Sequence, residues 1–163
     1  MGMPAQAFAE ISPNDLAVGQ LFLFRGFWGL RVSIEAQFEG LLVLEGDRAG
    51  SAYQLTPGMA KVVAIAEPFK WYPMLPDGSK TEVVDDPMCT IALNAKGPLI
   101  TGLDMRHEWD HNYLAISTSG HGVETNEVRN ALQFAQWSAE LCHQDQPFKS
   151  LGTLVEIDRR KKP

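Results

Sequence analysis

Cysteine is scarce in this chain: Cys89 and Cys142 are the only two in 163 residues, and they form no C-x-x-C pair. That excludes a disulfide-stapled mini-fold and a cysteine-rich zinc module. Both stand among apolar neighbours, so two buried free thiols in a reducing compartment are expected; spacing alone does not forbid a Cys89–Cys142 bridge. Positive charge is also in deficit. Fourteen Lys and Arg face twenty Asp and Glu, giving a net charge of −6 and a pI near 5.1. Such a surface repels a phosphate backbone, and no nucleic-acid partner is expected. The basic residues Arg159, Arg160, Lys161 and Lys162 gather at the end, where a disordered, solubilising tail over 159–163 is the expectation.

Long apolar runs are missing as well. No window approaches a membrane span, and residues 1–10 lack the cationic and apolar segments of a secretory signal. The expectation is a soluble, cytoplasmic protein with no membrane partner. Nor is there a G-x-S-x-G elbow or a G-x-G-x-x-G after a strand. The loop Glu45-Gly46-Asp47-Arg48-Ala49-Gly50 lacks the lysine and following helix of a phosphate cradle and reads as a turn.

What remains is strand and turn. With 45% hydrophobic and 21% charged residues the chain is globular, and its length suits one domain, residues 1–163, with 1–18 as a lead-in. Apolar runs at 20–24, 41–44, 51–56, 61–66, 90–93 and 99–101 alternate with turn signals such as Pro76-Asp77-Gly78. Gly46 and Gly50 supply the positive φ that a hairpin connection needs. No internal repeat is visible. Phe22, Phe24, Phe27 and Trp28 read as core rather than as a stacking platform. Over 126–143 the positions Val128, Ala131, Leu132, Ala135, Ala139 and Cys142, widened by Phe134 and Leu141, recur at three and four, predicting one amphipathic helix capped by Thr125 or Asn126. A last strand over 151–157 returns to the sheet. The predicted class is α+β: a mostly antiparallel meander, as a curled sheet or partly closed barrel, with one C-terminal helix and a final strand.

One cluster carries chemistry. His107-Glu108-Trp109-Asp110-His111 fits H-E-x-x-H. On a helix this spacing sets two imidazoles one turn apart on one face to hold zinc, with Glu108 as general base for a metal-bound water. The variant H-E-x-D-H resembles the metal-binding helix of peptide deformylases, in which an upstream cysteine completes a zinc or iron site. Cys89 is the only upstream cysteine here. It stands in Pro87-Met88-Cys89-Thr90-Ile91 instead of Glu-Gly-Cys-Leu-Ser, closer to the histidines than in that family, whose Gly-x-Gly-Leu-Ala-Ala-x-Gln segment is absent. The resemblance covers five residues. His121, in Ser119-Gly120-His121-Gly122, is a candidate third ligand.

Alternation argues differently. Leu103, Met105, His107, Trp109, His111 and Tyr113 share one parity while Asp104, Arg106, Glu108, Asp110 and Asn112 share the other, which predicts a strand over 103–113. A strand turns Glu108 away from both histidines and holds these roughly 13 Å apart. The favoured functional expectation is a non-catalytic binding or accessory module, without a cofactor, engaging a protein partner or a second copy of itself. Two alternatives stand beside it. One is a small zinc or iron hydrolase using His107, Glu108, His111 and His121; the other is a barrel whose interior, lined by Trp109 and Tyr113, holds a small apolar ligand.

Overall fold

The structure is a computed structural model and describes residues 3–34, 38–56, 58–81, 87–106, 112–129 and 131–160. Seven strands occupy the first half: β1 (Phe8–Ile11), β2 (Leu21–Phe24), β3 (Phe27–Ile34), β4 (Phe38–Val43), β5 (Ser51–Gln54), β6 (Val62–Ile65) and β7 (Phe69–Met74). The second half holds β8 (Ile91–Asn94), β9 (Gly97–Asp104), β10 (Tyr113–Ser117), β11 (Gly122–Val123), the single helical turn α1 (Asn126–Arg129), β12 (Leu132–Phe134), β13 (Gln136–His143) and β14 (Gly152–Asp158). Local chemistry explains the tight corners. Arg25 and Gly26, both at positive φ (49° and 86°), turn β2 into β3 in two residues, and Gly46 and Gly50 at 82° and 92° shape the β4–β5 connection.

Two sheets result. The larger has eleven strands along the path β1-β6-β2-β3-β4-β5-β9-β10-β11, with β8 and β12 branching from β9. Its ladders are antiparallel except β5–β9. The sheet curls until His121 meets Ser33 of β3 in one isolated parallel bridge, and it does not close into a barrel. The smaller sheet is β14-β13-β7. Inside the curl lie Leu30, Val32 and Leu42 from the first half with Ile100 and Ile116 from the second, all fully buried. Burying each such side chain is worth about 1.5–3 kcal/mol.

The pairings repeat at an offset of 70 positions. Leu21 pairs with Leu30 as Ile91 pairs with Ile100. The amide of Gly19 donates to Arg31 O as that of Cys89 donates to Thr101 O, and the amide of Ser33 donates to Gly120 O as that of Leu103 donates to Gly50 O. Ser51 bridges Leu103 where its counterpart His121 bridges Ser33. In the small sheet Trp71 faces Leu141, its own counterpart, while Phe69–His143 maps onto Ala139–Pro73. The chain is thus two copies of one unit related by an approximate two-fold axis that passes between β7 and β13.

Two expectations are corrected. The helix over 126–143 shrinks to α1; residues 132–134 and 136–143 are strands. Helical spacing misled because β13 is central and covered on both edges, and Ala139, Glu140, Leu141 and Cys142 form a continuous buried run without alternation. The internal repeat exists, although among the fourteen positions of the β2–β3 hairpin only Leu23 and Leu93 keep the same residue. The lead-in contains β1, which pairs with β6. Arg159 and Arg160 are held, the first by its amide on Ala135 O and the second by an ion pair with Asp158 at 2.8 Å; residues 161–163 lie outside the described residues.

Candidate functional site

Among the described residues β13 is covered on one side by β14 and on the other by β7, whereas β7 stands at the end of the small sheet. The register fixes which of its backbone groups face outward. The Gln144 amide donates to Pro68 O, so the hydrogen-bonded pairs that follow are Lys70–Cys142, Tyr72–Glu140 and Met74–Ser138. The N–H and C=O groups of alternate residues, Phe69, Trp71 and Pro73, therefore point away from β13. Phe69 spends its N–H on Ala66 O, and Pro73 has none to offer. Trp71 presents both groups to the open side.

A cleft of about 630 Å³ runs along that side. Five consecutive residues of β7, 69 to 73, line it, which places it along the backbone edge, since a sheet face would contribute alternate residues only. The opposite wall is the segment from Ala17 to Leu21 with Thr118 and Ser119. Trp71 joins the walls, its indole Nε1 donating to Gly19 O at 2.9 Å, and Gln20 Nε2 donates to Ile65 O at 2.7 Å. Lys70 and Glu67 are both exposed and bring charge to the rim. The cleft thus has charged residues at its rim and, as one wall, a strand edge that no other described strand pairs with.

The residues singled out by sequence fall elsewhere. His107, Glu108, Trp109 and His111 lie outside the described residues. Their flanks are informative: Leu103 of β9 is the cross-strand partner of Tyr113 of β10, and the Asp104 amide donates to Asn112 O. The chain therefore reverses between them. One unbroken strand over 103–113 is excluded, because it would separate Leu103 and Tyr113 by roughly 33 Å. Tyr113 is 52% exposed and is not among the residues that line the cleft. His121 is exposed, its backbone tied to Ser117. Among the described residues no group of three or more His, Cys, Asp or Glu is placed to hold a metal ion.

Two further polar features are structural. Arg31 pairs with Glu39 at 2.6 Å across β3 and β4, and this hydrogen bond holds the Glu39 carboxyl below its usual range against the opposing effect of burial. Burial pushes the Cys89 thiol up to about 12 and also raises that of Cys142, which disfavours the thiolate at both. Both are free, as expected. The β7 edge escaped sequence reasoning because no motif marks it; the one signal was Pro73 inside an otherwise strand-like run, a residue that sheets confine to edges. Comparison with protein-family models, curated proteins and solved structures found no match. No helix among the described residues is long and apolar enough to cross a membrane.

Proposed function

We propose that this protein is a non-catalytic binding module that engages a protein partner through the cleft along β7. The observation that carries this reading is the edge of β7, which no described strand covers, set beside a cleft with the N–H and C=O of Trp71 directed away from β13. Exposed strand edges in soluble folds are ordinarily blunted or covered, because they pair with whatever strand arrives. Here the edge is recessed behind the wall from Ala17 to Leu21, which limits access to a narrow, extended guest. Recognition by strand edge with pockets for alternate side chains is an established mode of peptide capture.

The test is crosslinking in the producing cells. A photoreactive residue replaces Lys70 at the cleft rim in one variant and Val63, exposed on the large sheet, in another. The reading expects a defined protein captured from position 70 and not from position 63. Identical captures from the two positions, or none from position 70, would overturn it.

A further inference from the structure

The loop that joins β13 to β14 carries an aromatic side chain out into water. Phe148 is 90% exposed, and the next most exposed large apolar side chain among the described residues, Leu132, stands at 59%. The loop around it is tied down. The Gln144 amide donates to Pro68 O at 2.8 Å, those of Gln146 and Lys149 donate to His143 O and Gln146 O, and the Leu151 amide returns the chain to Leu141 O of β13. Ser150 Oγ donates to the buried Glu140 carboxylate at 2.9 Å and accepts from the Gly152 amide. The ring is thus presented on a fixed turn, which spares a binding event the cost of ordering a loose loop.

The two-fold repeat supplies a comparison within the chain. At the offset of 70 positions the same turn bond recurs: the Ser79 amide donates to Pro76 O as the Lys149 amide donates to Gln146 O, both at 3.1 Å. The residue in the place of Phe148 is Gly78, which closes its turn at φ 74°, whereas Phe148 closes the second turn without a positive φ. Either backbone serves, so the turn itself requires no side chain there. Solubility is served better by a polar one. We infer that Phe148 is the anchor by which the chain holds a protein partner, its ring entering an apolar pocket on that partner. The inference rests on the partner-binding reading above for where that partner sits.

The loop springs from one end of the cleft. The Phe69 ring, which lines the cleft, meets the His143 ring edge-on at 5.6 Å. Phe148 follows five residues after His143, at most about 18 Å further along the chain. An interface of ordinary size covers about 800 Å² on each side, a patch roughly 30 Å across, so one partner reaches both the cleft and the ring. A membrane is a poorer match. A net charge of −6 attracts no anionic headgroups, and a single ring is a weaker hold than stable anchoring takes. Lys149, exposed and next in sequence, suits a carboxylate at the rim of the partner's pocket. Aromatic anchors seated in such pockets carry a large share of the binding energy of an interface.

The test places a photoreactive residue at Lys149 in one variant and at Lys70 in another, each with Phe148 kept or changed to alanine, in the producing cells. One protein captured from both positions is expected, and Phe148→Ala should remove it from both. With that protein purified, Phe148→Ala should raise its Kd roughly tenfold or more and Lys149→Glu roughly threefold. The unfolding midpoint of Phe148→Ala should stay within about two degrees of the parent's. A larger drop overturns the inference by giving the ring a role in the fold. No capture from position 149, or captures and a Kd that Phe148→Ala leaves unchanged, also overturns it; capture from position 70 in that case leaves the cleft reading standing. A Phe148-dependent capture from position 149 with none from position 70 supports the anchor and overturns the cleft reading. Phe148-dependent sedimentation with phosphatidylcholine–phosphatidylserine vesicles, or a dimer that Phe148→Ala dissociates, overturns the inference by making a membrane or a second copy what the ring meets.

Discussion

Gly19 and Cys89 occupy one structural position 70 residues apart, and both carry positive φ, 90° and 62°. Their amides make the same hydrogen bond to the following strand, so the backbone requires the left-handed conformation at each. The two sites tolerate side chains differently. A Cβ at Gly19 would sit 2.5 Å from Ser119 O, whereas Cys89 has a buried place for its thiol, with Sγ 3.8 Å from Leu44 O. Gly19→Ala should therefore cost about 2–4 kcal/mol, from left-handed strain and the clash together. Gly46→Ala, at φ 82° with nothing near its Cβ, should cost only about 1 kcal/mol. Urea denaturation with unchanged m-values checks both. Equal losses would show that φ alone decides, and the close approach to Ser119 would then carry no weight. At this scale the sequence was partly legible. Gly46 and Gly50 announced their turns, but a cysteine in a glycine's role has no signature.

Among the elements, β7 and β13 show why local patterning reaches only so far. β3 alternates cleanly over its later part, with Leu30, Val32 and Ile34 buried and Arg31 and Ser33 less so. β13 is covered on both edges, and its run of buried residues also satisfied a helical stripe; pairing with β7 and β14, distant in sequence, decides its conformation. The cleft depends on the same non-local pairing, because β7 lies 52 positions from Gly19, to which Trp71 bonds, and Thr118 and Ser119 come from the other half. Pro73 has an element-scale role. Its place on the outward parity of β7 removes one donor from the edge that no described strand covers and blunts it against unselective pairing. Pro73→Thr restores that donor, and concentration-dependent self-association is expected in light scattering at a level absent from the parent protein. Unchanged monomer behaviour across the same range would show that the wall from Ala17 to Leu21 alone protects the edge.

For the whole molecule, three strand pairings among the described residues join the halves: the β5–β9 ladder, the Ser33–His121 bridge and the β7–β13 ladder. Their one covalent link leaves β7 through the exposed turn at Asp77 and Gly78. A protease site placed there and cut after folding should leave two fragments that co-elute and keep the parent's unfolding transition within a few degrees. Each fragment expressed alone should be unfolded, because the inside of the curl needs Leu30 and Leu42 from one half and Ile100 and Ile116 from the other. Fragments that separate after cutting would place the stability within the halves and not between them.

The unequal edges of β13 and β7 bear on valency. A symmetric pair of identical chains must offer a given surface twice or not at all, so its partners are crosslinked in twos. Joining the units in one polypeptide lets β14 cover β13 without requiring the same of β7, whose outer edge no described strand covers. On the reading proposed above, a partner at the cleft is taken up once per chain, giving a one-to-one complex that ends an assembly instead of extending it.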